Sequence, residues 1–424
     1  MTIHNELKIT NAKWKLKFDY RLLIVLPFVF IMGIAAETEL PFHDLLHKGW
    51  WSLLAVLGIL CFALYRNNKD SVFYFFVLAG GPFLYGLLNT VFVTWWKGDT
   101  IGVLNQAVSS TCFQLVDLLA AFFIWFCFRK KAATVIFWSV VVSYSITLLW
   151  IARENGLYII MLTVIGISPD WHLFERNDIG VLTVSLFLYY LYLYYRVDRK
   201  AEKWIPFKIV ISFIIMFLCG KRSAFVGIAV GVMFFLYTKK RNTHHDYKKL
   251  RLYAVIIVCI YVILIKSQII TTISDRLGIN SSGRLYVWDW FNNQYKISPL
   301  FFGHGFQYVH KYMQAGLGEN GRLFSLVNTF NYLHNSILQI YIENGFWGFI
   351  IWFGFYLIIF PSYIYRRFGK HCCYFYEILS FSMLAIYTTD NPLIFPFYQL
   401  SFFLLVIMIY EHSSSMSTIK EYRR

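Results

Sequence analysis

The chain has 424 residues, of which 58% are hydrophobic and only 15% charged, with a mean hydropathy of +0.54 and a formal charge of +16. Soluble proteins carry about 25% charge, so this composition excludes a soluble multidomain enzyme, a disordered chain and a secreted disulfide scaffold. It leaves an all-α polytopic membrane protein, since roughly 20 apolar residues make one membrane-crossing helix.

In chain order the apolar runs predict twelve spans, at roughly 22–36, 49–65, 71–95, 105–128, 132–152, 178–195, 205–219, 223–237, 252–266, 345–360, 374–389 and 393–410. Tyr and Trp at their ends extend the shorter runs into the interface. The first run follows a basic segment and has no small-residue cleavage site, so it reads as a retained span rather than a signal peptide. Most of the 39 Lys and Arg residues fall in alternate loops, among them Arg129–Lys131, Arg196–Lys203, Lys239–Arg251 and Arg366–Lys370. By the positive-inside rule these loops and both termini face the cytoplasm, and topology rather than nucleic acid accounts for the basic charge. The apolar run 156–167 is too short to span and reads as an interfacial or re-entrant piece.

The chain thus divides into N-terminal transmembrane helices at 1–266, one large extracytoplasmic loop at 267–344, and the last three spans with a cytoplasmic tail at 345–424. In the loop, Leu285, Trp288, Phe291 and Tyr295 recur at helical spacing and predict a short amphipathic helix lying on the membrane. Gly303, Gly305, Gly316, Gly318 and Gly321 mark turns. None of the seven cysteines lies in the loop, and no Cys/His spacing suggests zinc.

Lys221 and Arg222 occupy CGKRSA, a tight turn between two spans on the outer face. An ion near membrane depth is costly and usually functional, and guanidinium groups bind phosphate oxygens in pairs. Arg276, Arg284, Lys296, Lys311 and Arg322 lie in the large loop, as solvated charge or as anion ligands. His334 opens YLHNSILQIYIENGFWG. Its imidazole suits either a general base or a structural role. Glu343, nine residues on, falls on the opposite face of a straight helix. Asn335, Gln339 and Glu343 form a polar stripe that either lines a cavity or ties the helix to its neighbours. Asn177 and Asp178 read as a helix cap, and Asp390 and Asn391 in TTDNP as a turn. FFGHGF lacks any nucleotide-binding fingerprint.

CGKRSAFVG, then SSGRLYVWDWF with KISPLFFGHGF, then YLHNSILQIYIENGFWGF resemble, in that order, the O-antigen ligase/polymerase superfamily over roughly residues 215–355. ERNDIG at 175–180 is a fainter element of the same resemblance. The resemblance implies a multi-pass glycosyltransferase of the bacterial inner membrane that takes a glycan from an undecaprenyl diphosphate carrier on the outer face. On the matching positions it implies that Arg222 and Arg284 hold the diphosphate and that His334 activates the acceptor hydroxyl or positions the reacting centre. Lys221, Asn335, Gln339 and Glu343 are further expected contacts to diphosphate or glycan. No metal, nucleotide or other cofactor is implied and nucleic acid is no partner, whereas a flippase and a chain-length regulator of the same pathway are. Lys221 departs from the small or polar residue expected before the arginine.

Three readings follow. The first is a polymerase joining lipid-linked repeat units into O-antigen or capsular polysaccharide. The second is a ligase moving the glycan onto lipid A-core. The third, a flippase, is disfavoured by the lack of an internal repeat and by charges gathered at one face rather than the midplane.

Overall fold

The computed structural model describes residues 43–65, 71–97, 113–164, 176–239, 244–277, 284–314, 333–394 and 396–421. The expected span at 22–36, the first part of that at 105–128, and Gly316, Gly318, Gly321 and Arg322 lie outside the described residues. All regular structure among the described residues is helical. In an apolar medium only a helix or a closed barrel satisfies every backbone N–H and C=O, so these aromatic and β-branched runs fold as helices despite modest intrinsic propensity.

The helices are α1 (His43–Tyr65), α2 (Ser71–Ala79), α3 (Gly81–Trp96), α4 (Phe113–Phe128), α5 (Ala132–Asn155), α6 (Leu157–Val164), α7 (Asn177–Tyr192) and α8 (Ile205–Leu218). They continue as α9 (Arg222–Lys239), α10 (His244–Lys266), α11 (Ile269–Arg276), α12 (Arg284–Gln294), α13 (Tyr308–Gln314), α14 (Ser336–Gly354), α15 (Phe360–Tyr387) and α16 (Pro396–Glu421). Among the described residues four stretches are long and apolar enough to cross a membrane: Ser71–Trp96, Leu115–Asn155, Ile179–Val197 and Ser336–Tyr387. Ser52–Tyr65, Ile205–Leu218 and Arg222–Thr238 are shorter apolar helices. Two of the long stretches exceed one crossing and are interrupted. A 3-10 turn at Arg129–Lys131 separates α4 from α5, and glycines in left-handed conformations break α14 at Gly345 (φ 72°) and α15 at Gly369 (φ 82°).

The outer surface is apolar in helical stripes. Val56, Ile59 and Leu60 on α1 and Leu252, Ile256 and Ile260 on α10 are exposed. A soluble helix would place charge there; a lipid-facing one needs none. Inside, one core runs through α2, α4, α5, α7, α9, α15 and α16 and buries Trp125, Tyr144, Tyr189, Tyr190 and Tyr376. Small residues bring the helices close: a Cβ on Gly227 would meet Ile386 at 2.6 Å, and one on Gly231 would meet Leu188 at 2.6 Å. The Gly227 approach sets the start of α9 beside the end of α15, where the site forms.

Two charged clusters lie at opposite ends of α8. At one end Lys208 bonds Glu202 (2.6 Å) and Thr134 (2.7 Å), and His412 approaches Glu202 (3.4 Å). At the other end of α8 lie Lys221, Ser223 and Asp390. The basic loops 129–131 and 196–203 therefore adjoin the first end.

Two expectations change. The helix expected from Leu285, Trp288 and Phe291 forms as α12, but its apolar face does not lie on a membrane. It packs with Ile265, Met313, Leu338 and Ile342 into a second core, because α10, α13 and α14 supply enough apolar surface to cover it. Of the 156–167 run, residues 157–164 form the short α6 after Gly156 (φ 83°), too short to span as expected, and 165–167 lie outside the described residues. The cap of α7 is Arg176, with no side-chain cap bond, so Asn177 and Asp178 open the first turn instead.

Candidate active site

The centre of the site is the turn Thr388–Asn391, between α15 and α16. Asp390 is 2% exposed and accepts from four donors. Oδ2 takes the Lys221 Nζ at 2.8 Å and the Ser223 Oγ at 2.9 Å. Oδ1 takes the Asn391 backbone N–H at 2.9 Å and faces His334 Nδ1 at 3.3 Å. Burial alone would push the Asp390 carboxyl up; the His334 hydrogen bond and then the Lys221 ammonium outweigh it and hold the group well below the usual carboxylate range. An ionised acceptor at Nδ1 selects the imidazole tautomer with its proton there, so Nε2 carries the lone pair.

His334 reaches this position through its backbone. It adopts φ 50°, and Asn335 follows as the extended N-cap of α14, its Oδ1 accepting from Leu338 N at 3.0 Å. The helical-angle comparison of His334 with Glu343 therefore does not apply, because His334 precedes the helix. Its carboxylate partner is Asp390. The expected stripe also divides. Asn335 donates Nδ2 to the Tyr261 hydroxyl (2.8 Å) and its backbone N–H to Asn391 Oδ1 (2.7 Å), while Gln339 pairs with Glu343 (3.1 Å). All three are buried; Asn335 ties α14 to α10 and to the Thr388–Asn391 turn, whereas the Gln339–Glu343 bond stays within α14. Tyr261, on α10, in turn donates to the Thr388 carbonyl at 3.0 Å.

The two arginines flank this centre. Arg284, the first residue of α12, donates to the Thr389 carbonyl at 3.2 Å. Trp288, one turn on, fixes α12 by donating to the Leu333 carbonyl at 2.7 Å. Arg222 starts α9 and is exposed, while Lys221 and Ser223 on either side turn inward to Asp390. Lys221 is thus committed to the carboxylate, unlike the exposed Arg222. Beside Tyr261 an apolar cavity of about 200 Å³ opens between α10 and α14, lined by Val262, Ile265, Ile337, Leu338 and Phe349 among others.

A strap behind the site holds α14 in place. Residues 301–306 cross the Gly345 break: the His304 N–H donates to Ile342 O (3.1 Å), Gly305 to Glu343 O (2.8 Å), and Phe346 to Phe301 O (2.8 Å). From α3, Asn89 Nδ2 donates to Phe302 O (3.0 Å), and Thr90 Oγ1 accepts from Phe306 N (2.9 Å).

The sequence singles out His334, Arg222, Arg284 and Lys221 but not Asp390, which joins His334 to Lys221, nor Tyr261 and Ser223 as supports. One signal was available: Asp390 ends an apolar run in a chain with only 23 acidic residues, on the side that loop alternation also gives to CGKRSA and His334. No His/Cys/Asp/Glu group suited to a metal ion occurs among the described residues.

Helices with apolar outer stripes, carrying a buried carboxylate bonded to a half-buried histidine and flanked by arginines at one end, define a helical membrane protein with a polar site at the bundle end. Residues 207–353, from α8 into α14, match the family model described as O-antigen ligase. The match supports, over about a third of the chain, the O-antigen ligase/polymerase superfamily and a membrane enzyme of that type. It takes in Lys221, Arg222, Arg284 and the segment from His334 to Glu343, whereas Asp390 lies beyond it. No match is found among curated proteins.

Proposed function

We propose that this protein is an integral-membrane polymerase of the bacterial inner membrane. It joins undecaprenyl-diphosphate-linked oligosaccharide repeat units into O-antigen or capsular polysaccharide on the outer face, with twelve spans and both termini in the cytoplasm. The observation that carries the reading is the Asp390–His334 pair, with Arg284 bonded to the adjoining Thr389.

His334, held through Nδ1 by Asp390, takes the proton of an acceptor hydroxyl on Nε2. The oxygen forms its bond to the anomeric carbon of the donor sugar. The bond from that carbon to the diphosphate oxygen breaks, and its electron pair leaves with the diphosphate. Arg222 and Arg284 offset the charge that develops there, the form of catalysis in which fixed donors act most strongly. Lys221 keeps Asp390 ionised. The apolar cavity beside Tyr261 suits the first units of the polyprenyl chain. No step calls for a metal or a nucleotide, since the diphosphate is itself the leaving group.

A ligase that moves the glycan to lipid A-core uses the same donor and the same steps, and the description of the matched family favours it. Deleting the gene and restoring it with wild type or His334→Ala separates the readings on gels of surface and lipid-linked glycans. A polymerase defect leaves single repeat units on the final acceptor. A ligase defect leaves long chains on the carrier and none on the acceptor. Full restoration by His334→Ala would remove the enzymatic reading and favour a transporter.

A further inference from the structure

At the far end of α12 from Arg284, a second cluster gathers around Tyr295. Lys97 closes α3, and its Nζ lies 2.6 Å from His304 Nδ1 and 5.9 Å from the centre of the Tyr308 ring. His304 stacks on Tyr308 at 4.1 Å, and the Tyr308 and Tyr295 hydroxyls share a hydrogen bond of 3.0 Å. Lys266 donates to the Asn292 carbonyl (3.1 Å) and the Tyr295 carbonyl (2.5 Å), and Lys296 beside them is exposed. Lys97 thus touches the aromatic cluster directly, Lys266 holds the backbone beneath Tyr295, and Lys296 follows Tyr295 in the chain. Among the described residues no carboxylate forms an ion pair with Lys97, Lys266 or Lys296. Glu343, on the neighbouring turn of α14, is buried and bonded to Gln339.

Burial lowers the pKa of Lys97, and burial and then Lys97 hold that of His304 down at about 4. Neutral His304 accepts the Lys97 ammonium at Nδ1 and keeps a proton on Nε2 to donate. Tyr295, His304 and Tyr308 are only half-buried, so part of the cluster is open to solvent. Aromatic faces, donors and uncompensated ammonium groups together match a carboxylate-bearing sugar: the rings take its C–H face and the ammonium groups its anion. The cluster is bonded to α14 at Ile342, about 10 Å of helix from Asn335, which is an oligosaccharide's reach rather than a single sugar's.

We propose that the Lys97–His304–Tyr308–Tyr295 cluster, with Lys266 and Lys296, is a subsite for an acidic sugar of the glycan. The proposal rests on the glycosyl-transfer reading, and binding tests it separately from transfer. Full-length protein in a neutral detergent is titrated with trigalacturonate and with maltotriose and followed by saturation-transfer NMR. Trigalacturonate binds wild type and His334→Ala alike, maltotriose does not bind, and Lys97→Met weakens the acidic trimer about fivefold, the scale of one exposed charge pair. Lys97→Arg, which keeps the charge, retains binding and excludes misfolding as the cause. Equal binding of both trimers, or trigalacturonate binding unchanged in Lys97→Met, overturns the proposal. Binding of phosphatidylglycerol in nanodiscs that depends on Lys97, with no binding of trigalacturonate, also overturns it and makes the cluster a lipid-headgroup site. The transfer reading is judged independently by the His334→Ala glycan gels.

Discussion

His334 and Asp390 stand 56 positions apart in the chain, yet the imidazole Nδ1 and the carboxylate Oδ1 meet at 3.3 Å. The first reaches this point from the start of α14, through a left-handed backbone. The second reaches it from the turn after α15, where Lys221, Ser223 and Asn391 complete its coordination. A histidine so oriented has one defined basic nitrogen, which a general base requires.

Asp390→Asn keeps the shape and removes the charge that selects the tautomer. Transfer should fall by about two to four orders of magnitude, the usual contribution of a positioned acid–base group. Lys221 also loses its counter-ion, and breaking a buried pair costs roughly 3–5 kcal/mol. Glycan yield and the melting temperature of the purified protein should therefore fall together. A normal yield would show that His334 needs no carboxylate.

Arg284→Lys retains the charge but loses the planar fork. Loss of a charge-assisted hydrogen bond of about 1.5–3 kcal/mol predicts a tenfold or greater drop in transfer. Rates from Arg284→Lys that match wild type would mean that this residue meets its ligand through a single contact.

Gly303 and Gly345 stand back to back with positive φ, at 85° and 72°. A Cβ on Gly303 would lie 2.4 Å from Glu343 O, and one on Gly345 2.3 Å from the Phe302 carbonyl carbon. Both obstacles are backbone, so neither Gly303→Ala nor Gly345→Ala can be absorbed by a rotamer change. Left-handed strain alone costs about 1–2 kcal/mol. Each variant should melt measurably below wild type, and an unchanged melting temperature would mean that the strap does not hold α14.

The His304 pKa lies at about 4, below its ordinary 6.5, through burial and then the neighbouring Lys97 charge. The folded state thus favours the neutral ring. Its contribution to stability is fully present above about pH 6.5 and is lost as pH falls toward about 4. Histidine-labelled protein should show this ring titrating near pH 4. Relative to wild type, His304→Gln should lose less stability between pH 7 and pH 5. A titration midpoint near 6.5 would contradict the half-buried, Lys97-bonded geometry.

Composition and apolar periodicity determined the helical membrane class, because lipid leaves the backbone no other partner than itself. The order of CGKRSA, RLYVWDWF, FFGHGF and the His-Asn segment carried the family resemblance, and with it His334, Arg222 and Arg284. Helical periodicity also located α12 from Leu285, Trp288 and Phe291, but it could not say what covers that face, which depends on α10, α13 and α14. Only the tertiary structure decided that Lys221 belongs to Asp390 and that His334 lies before its helix. It likewise decided that Asn335 leaves Gln339 and Glu343 to bond Tyr261 and Asn391. The physical reason is common to all three. A buried polar group must find a partner wherever the packing places one, and here that partner sits on a different element, 56 to 169 residues away in the chain.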